Sequence, residues 1–404
     1  MRILHTSDWH LGVSLGTVSL LDDQAVFVDW LVEVVRSERI DLVVVAGDLF
    51  DRAIAPKEAV ALFRETLGRL RATGAQVAAI TGNHDGADRV ANYGGLLDGS
   101  GVFIRGGYPS DGEVITLEAA DGPLDLVLLP YLDPQASPDV AAGGNEVGDT
   151  SSESSASGES DSLDARFERL IAATHESVLR TAINGAAANL RSRRSIAVSH
   201  AFVAGGSTTD SERRLTVGGT GTVDVSLYSP FTYTALGHLH RPQSVGTGNS
   251  VRYSGTPIAY SFSEDHPKSI TMVDLAADGS FSLEHVRIPV GRAVLTVTGT
   301  IESLLRDTPT REARESFVRA VLTDREVVLD PKRRLAEVYP YVLEVELEPD
   351  GVPLRVEIAR ERARSVSAIE STEAFWRAVH GAEPGDDERA LLTRAVASAE
   401  EVSA

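Results

Sequence analysis

"DLVVVAGDLFD", residues 41–51, carries a β-branched apolar run into a glycine turn that holds two aspartates. The run is strand-sized, and Asp48 and Asp51 fall just past its carboxyl end. Upstream, "RILHTS" at 2–7 reads as a buried strand, and residues 24–36 set Phe27, Trp30, Leu31, Val34 and Val35 on one helical face. Downstream, Pro56 opens a helix whose Val60, Phe63, Leu67 and Leu70 face one way and whose end is marked by Gly74. "QVAAITGNHD" at 76–85 is a third strand with its own turn. Strands separated by helices predict βαβ units in an α/β fold with a largely parallel inner sheet.

Further along, shorter strands end in "LDLVLLPYL" (124–132), and residues 143–162 are serine-rich and acidic with no basic residue. Such a segment cannot bury enough apolar surface to order itself, so a disordered insertion is expected there. A helix with Phe167, Leu170, Ile171, Val178 and Leu179 as its apolar stripe follows, then strands at "SIAVSH", "FTYTALGH", "VRYSGT" and "KSITMVDL". Near residue 290 the rhythm changes to strand "AVLTVTG", short helix, strand "FVRAVLT", helix "DPKRRLAEV" and strand "YVLEVEL", the pattern of a separate small α/β unit. The last forty residues suggest two short helices, around Phe375 and Trp376 and around Leu391, Leu392 and Val396, divided by "GAEPGDD".

The 404 residues suffice for two or three domains, and 42% are hydrophobic, as in an ordinary soluble protein. No run approaches the roughly 18 apolar residues a membrane span needs, and the N-terminus has no leader pattern. There is no cysteine, which excludes disulfides and thiolate zinc sites, fits a reducing cytoplasm, and leaves His, Asp, Glu or Asn to hold any metal. Lys and Arg number 38 against 59 Asp and Glu, so the formal charge is −21, which by itself argues against a phosphate-backbone partner.

Four other stretches share the character of "GDLFD": "SDWHLG" at 7–12 with Asp8 and His10, "GNHD" at 82–85, "AVSH" ending at His200, and "GHLH" with His238 and His240. Each sets an oxygen or nitrogen ligand just beyond a strand's carboxyl end, where open α/β sheets gather their sites. In an extended turn, residues two apart such as Asp8 and His10 point to one side, and Gly47, Gly82 and Gly237 permit sharp turns near a ligand. Singly, each motif has an ordinary explanation: a satisfied turn, a left-handed Asn83, or a packed core histidine. All five in this order make coincidence improbable. Carboxylate, imidazole and amide together suit Mn²⁺, Fe²⁺ or Zn²⁺, and seven candidates (Asp8, His10, Asp48, Asn83, His200, His238 and His240) exceed the needs of one four-coordinate ion. Two ions sharing a carboxylate account for them. His5, His175, His266, His285 and His380 lack such a setting and read as ordinary residues.

The order DxH, GDxxD, GNHD, H, GHxH resembles that of the calcineurin-like metallophosphoesterases. The flanking text "HTSDWHLG", "VVAGDLFDRA", "SHAFVAGG", "DSERRLTVGG", "ALGHLHRPQ" and "YSGTPIAYSFSE" resembles a branch of DNA nucleases that act with an ABC-type ATPase. The resemblance covers residues 1–290 and is of layout only beyond. It implies a β-sandwich flanked by helices over 1–289, a small α/β capping domain over 290–362, and a C-terminal helical segment over 363–404 that binds the ATPase. It further implies that Asp8, His10, Asp48 and His240 hold one ion and Asp48, Asn83, His200 and His238 the other. His84 would be the acid, with Asp85 orienting it and Asp51 a partner to a ligand histidine. Two Mn²⁺ ions and DNA as substrate are implied, cleaved 3′ to 5′ at duplex ends and internally in single strands or hairpins. So is a cytoplasmic homodimer in a heterotetramer with the ATPase, recruited to the nucleoid on DNA, with no membrane. Arg213, Arg214 and Arg241 lie near the motifs, whereas Val13 stands where relatives often carry a basic residue. Two alternatives stay open: a phosphoesterase for small nucleotides or phosphoproteins, and a scaffold that has lost the chemistry.

Overall fold

A computed structural model describes residues 1–92, 94–108, 112–137, 174–212, 221–306, 309–326 and 328–348, with 384, 385, 389, 392 and 393. The acidic insertion at 143–162, Phe167, Leu170, Ile171, Arg213, Arg214, Phe375, Trp376, His380, Leu391 and Val396 lie outside the described residues.

Two compact units divide the chain, one of Met1–Thr296, Pro309–Arg319 and Tyr339–Glu344, the other of Val297–Thr308, Ala320–Val338 and Val345–Ala404. In the first, two six-stranded sheets form the sandwich. One has the order Phe281–Arg287, Ser269–Leu275, Arg2–Thr6, Leu42–Ala46, Gln76–Ile80, Val102–Arg105. The other runs Gln243–Ser244, Val251–Tyr253, Tyr233–Gly237, Ser195–His200, Gly122–Leu129, Ile115–Ala119. The parallel arrangement expected from the βαβ pattern runs from Arg2–Thr6 to the edge strand Val102–Arg105 in the first sheet, with antiparallel strands on its other flank, and forms the middle of the second sheet, which antiparallel strands close on both sides.

The pleat explains why the central strands are apolar almost throughout. Leu42, Val44 and Ala46 point into the layer between the sheets, against Leu126, Ile196, Val198 and Ala235. Val43 and Val45 point the other way, into a core shared with Phe27, Leu31, Phe63 and Leu70 of the covering helices. A strand buried on both faces has no polar side to present, so alternation vanishes. On the outer face of the second sheet, Leu179, Ile183 and Ala186 of helix His175–Ala188 pack with Val127, Leu129 and Ala197.

Both covering helices depart slightly from their expected stripes. In Leu21–Ser37 the buried face is Phe27, Val28, Leu31, Val32 and Val35, with Trp30 and Val34 at its margin. In Lys57–Ala72, Val60 is 47% exposed, and Ala59 takes the place expected for it beside Phe63 and Leu70. One small residue lets the helix approach more closely than a Val would. Val13 packs against this same core.

In the second unit, Ile301 and Leu304 of helix Ile301–Arg306 and Leu335 of helix Pro331–Ala336 are buried. Asp324 accepts a hydrogen bond from the Ile301 backbone N–H at 2.8 Å, tying off the helix start. Strands Val294–Gly299, Phe317–Leu322 and Val342–Leu347, whose first residues belong to the first unit, form a three-stranded sheet in that order. Among the described residues, no helix is long and apolar enough to cross a membrane.

Candidate metal centre

Sheet register decides where the motifs meet. Thr6 lies beside Val45 and Ala46 beside Ile80, so the loops that begin at Ser7, Gly47 and Thr81 leave one edge together. In the second sheet Gly237 pairs with His200, which puts His200 and His238 at neighbouring strand ends.

The first two loops then run side by side. Asp8 N–H donates to Gly47 O (3.1 Å), His10 N–H to Asp48 O (2.8 Å) and Leu11 N–H to Leu49 O (3.0 Å). Trp9, between the two candidate ligands, is buried against Phe27 and Phe63 and donates from Nε1 to Thr6 Oγ1 at 3.0 Å. It anchors the turn in the core. Gln24, which no motif marks, donates from its amide to Trp9 O and His10 O, both at 2.9 Å, and accepts from Gly12 N–H at 2.9 Å.

The backbone conformation differs from the extended turn expected at Asp8 and His10. Their φ values are +52° and +41°, and Asp48 (+47°) and His238 (+107°) are likewise positive, whereas Asn83 is not among the positive-φ residues. Non-glycine residues occupy this region at a cost that the surrounding bonds must offset, and such positions cluster at functional sites. Two glycines are required by space. A Cβ on Gly82 would stand 2.1 Å from Asp48 Oδ1, and one on Gly237 1.7 Å from Ala46 O.

These loops bring all seven candidate ligands together. Ligand atoms of Asp8, His10 and His240 lie within 4.8 Å of one another, as do those of Asp8, Asp48 and His200, and those of His10, Asp48 and His84. His10 Nε2 is 3.3 Å from His240 Nε2 and 3.6 Å from Asp48 Oδ2, and His200 Nε2 is 3.4 Å from Asp48 Oδ2. Asn83 Oδ1 lies 2.9 Å from His200 Nε2 and 3.3 Å from His238 Nδ1. His238 and His240 therefore diverge, one toward Asn83 and one toward His10. Asp8, His10, Asp48, His200, His238 and His240 are buried, while Asn83 and His84 are half-buried.

Titratable groups are concentrated here and buried. Burial pushes the Asp8 carboxyl up to about 6, against the pull of His200 and His240. Burial also disfavours ionised Asp48, but the His200 and His10 imidazoles outweigh it and hold Asp48 well below the usual carboxylate range. For His200, burial opposes the charge, yet Asp48 and Asp8 raise its pKa to about 9. His10 and His238 are driven well below the ordinary histidine value, first by burial.

The donor set fits divalent ions. It comprises carboxylate, imidazole and amide oxygen without sulfur, and His10 Nδ1 is buried with no hydrogen-bond partner. The ε nitrogens of His10 and His240 face each other. Buried polar atoms left this way are costly unless a cation completes them.

Around this cluster, His84 Nδ1 donates to the carbonyl of Asp51 at 2.8 Å, and its ring centroid lies 4.6 Å from that of His10. Asp51 thus meets His84 through its main chain, and its carboxylate sits 3.7 Å from Arg52 Nε. The Asp85 carboxylate accepts backbone N–H groups of Leu49 (3.0 Å), Phe50 (2.8 Å) and Gly82 (2.8 Å), clamping the "GDLF" loop to the "GNHD" loop. Burial first, and then Asp48, push its carboxyl up to about 7. His240 is held by Ser211, Glu212 and Glu264, none of them singled out from sequence. Of the histidines read as ordinary, His5 is a buried strand residue bonded to Tyr233 OH and Leu236 O, and His266 Nε2 lies 3.2 Å from His240 O.

A family model for calcineurin-like phosphoesterases matches residues 1–173. SbcD of the SbcCD nuclease from Bacillus subtilis (strain 168) is 36% identical over 309 residues, spanning 73% of this chain and 71% of that protein. Among solved structures, TT1561 of Thermus thermophilus covers 71% of this chain and 99% of its own, at 13% identity and a TM-score of 0.35. A dimetal phosphatase from Danio rerio covers 71% and 96%, at 14% identity and a TM-score of 0.39. With five ligand-bearing loops at the sheet edges of a two-sheet sandwich and a curated relative matched over most of both lengths, the chain belongs to the calcineurin-like metallophosphoesterases, in the family of the SbcD nucleases.

Proposed function

We propose that this chain is a two-metal DNA nuclease that cleaves duplex ends 3′ to 5′ and opens single strands or hairpins, working with an SbcC-like ABC-type ATPase. The convergence of Asp8, His10, Asp48, Asn83, His200, His238 and His240 on one buried point carries the proposal. Asp8, His10, Asp48 and His240 would hold one ion, and Asp48, Asn83, His200 and His238 the other, with Asp48 shared and Mn²⁺ the expected metal. When bound, such a pair polarises a phosphodiester and lowers the pKa of water toward neutrality.

The chain's own residues supply the rest. The Asp51 carbonyl fixes the His84 Nδ1–H and so defines Nε2 as the atom that exchanges a proton. As water oxygen bonds to phosphorus and the P–O ester bond breaks, protonated Nε2 donates to the departing oxygen, and the proton that the water sheds to solvent is matched by one that Nε2 regains from solvent. Asp85 keeps this imidazole in register by holding both loops. No side-chain nucleophile is needed.

With a net charge of −21 the isolated chain binds DNA weakly, and the ATPase supplies much of the grip. Residues 290–362 would act as the capping domain and 363–404 as the ATPase-binding helices, in a cytoplasmic homodimer within a heterotetramer that joins the nucleoid on DNA. The test is co-purification with the ATPase followed by cleavage of a hairpin duplex with Mn²⁺, with and without ATP. Cleavage that needs Mn²⁺ and responds to ATP is expected. Hydrolysis of small nucleotides or phosphoproteins in preference to DNA would overturn the proposal.

A further inference from the structure

Glu264 is buried, and each of its oxygens is engaged. Oε1 lies 3.0 Å from His240 Nδ1 and accepts from Ser211 Oγ, while Oε2 accepts from Thr256 Oγ1 at 2.7 Å and from Lys268 Nζ. Ser211 Oγ is also 2.7 Å from His240 Nδ1. The next residue, Glu212, accepts the His240 backbone N–H at 2.9 Å and secures its own turn by accepting from Thr209 N–H at 2.6 Å and Thr209 Oγ1 at 2.8 Å. Ring and main chain of one histidine are therefore held by two acids from different parts of the chain.

A carboxylate only accepts hydrogen bonds, and the Ser211 hydroxyl proton already points to Glu264. His240 Nδ1 must then carry the ring proton, and Nε2 keeps its lone pair, directed at the cluster where His10 Nε2 lies 3.3 Å away. Lys268 is itself mostly buried and has Glu264 as its ion-pair partner, so it keeps the acid from presenting a proton of its own.

We propose that Glu264 is a positioning residue for His240, setting its tautomer and ring orientation, and that Ser211 and Glu212 make the 207–212 segment part of the same device. The proposal deepens the two-metal assignment and rests on it for function, although the tautomer itself does not. Outer partners of this kind typically set metal affinity within about 10–100-fold.

Two measurements on the full chain test it. In metal-free protein labelled with ¹⁵N-histidine, the His240 shifts should report a protonated Nδ1 and a bare Nε2, and Glu264→Gln, whose amide can donate to Nδ1, should mix or reverse them. Mn²⁺ titration by calorimetry should show roughly 10–100-fold weaker binding in Glu264→Gln and a several-fold loss in Ser211→Ala. A wild-type His240 protonated on Nε2 overturns the proposal whether or not the variants fold, and so does a Glu264→Gln protein with unchanged tautomer and affinity. If the wild-type chain shows protonated Nδ1 but binds no Mn²⁺, the hydrogen-bond assignment stands and the two-metal centre fails.

Discussion

The amide oxygen of Asn83 lies 2.9 Å from Nε2 of His200, a residue 117 positions away on the other sheet of the sandwich. That contact joins loops of the two sheets, and it exists only because strands Gln76–Ile80 and Ser195–His200 end at the same rim.

His84 offers the clearest functional test. It is half-buried beside the cluster, bonded to the Asp51 carbonyl, and outside the proposed ligand set. Replacing it with Gln should leave Mn²⁺ binding within about twofold and lower DNA cleavage by roughly 10²–10⁴-fold, the usual share of a general acid. Calorimetry and single-turnover cleavage measure the two effects. Near-normal cleavage would remove His84 from the acid role.

Gly82→Ala should damage the centre directly, because its Cβ would lie 2.1 Å from Asp48 Oδ1 and 2.4 Å from Asp48 N. The backbone atom cannot rotate away, so the loop must shift. A stability loss of about 2–4 kcal/mol is expected, together with at least tenfold weaker Mn²⁺ binding. Urea unfolding and metal titration check both; an unchanged affinity would mean that the loops are not in close register.

Gln24→Ala probes the turn without touching a ligand. Its loss strands the Gly12 N–H, while His10 O keeps its bond from the Val13 N–H and Trp9 O its bond from Tyr260. An unsatisfied buried group costs about 1–3 kcal/mol, and a loss in that range is expected from urea midpoints. A neutral substitution would show that water replaces the side chain.

Stability should also fall in mild acid. Burial pushes His5 down to about 3 from an ordinary 6.5, and His175 down to about 4. Above 6.5 both states leave these rings neutral and they contribute nothing to pH dependence. Below it, the unfolded chain takes up protons that the folded chain refuses, so stability drops as pH falls, by about 1.4 kcal/mol per unit and per residue, until each folded pKa is reached. The difference in unfolding free energy between the wild type and His5→Gln should shrink by about 2 kcal/mol from pH 7.5 to 5.0. A constant difference would show that His5 is protonated inside the fold.

From sequence alone, strand positions, the apolar strand "LVVVA" and the five ligand-bearing turns were legible, because each rests on local periodicity or on residue types that chemistry restricts. Tertiary structure alone decided which turns meet, since register between strands distant in the chain places His200 opposite Gly237 and Ala46 opposite Ile80. It also decided that Asp8, His10, Asp48 and His238 are held at positive φ, a conformation that local propensity disfavours and only the surrounding bonds maintain. Gln24, Ser211, Glu212 and Glu264 stayed hidden for the same reason: a polar side chain becomes a support only when folding buries it against a particular partner.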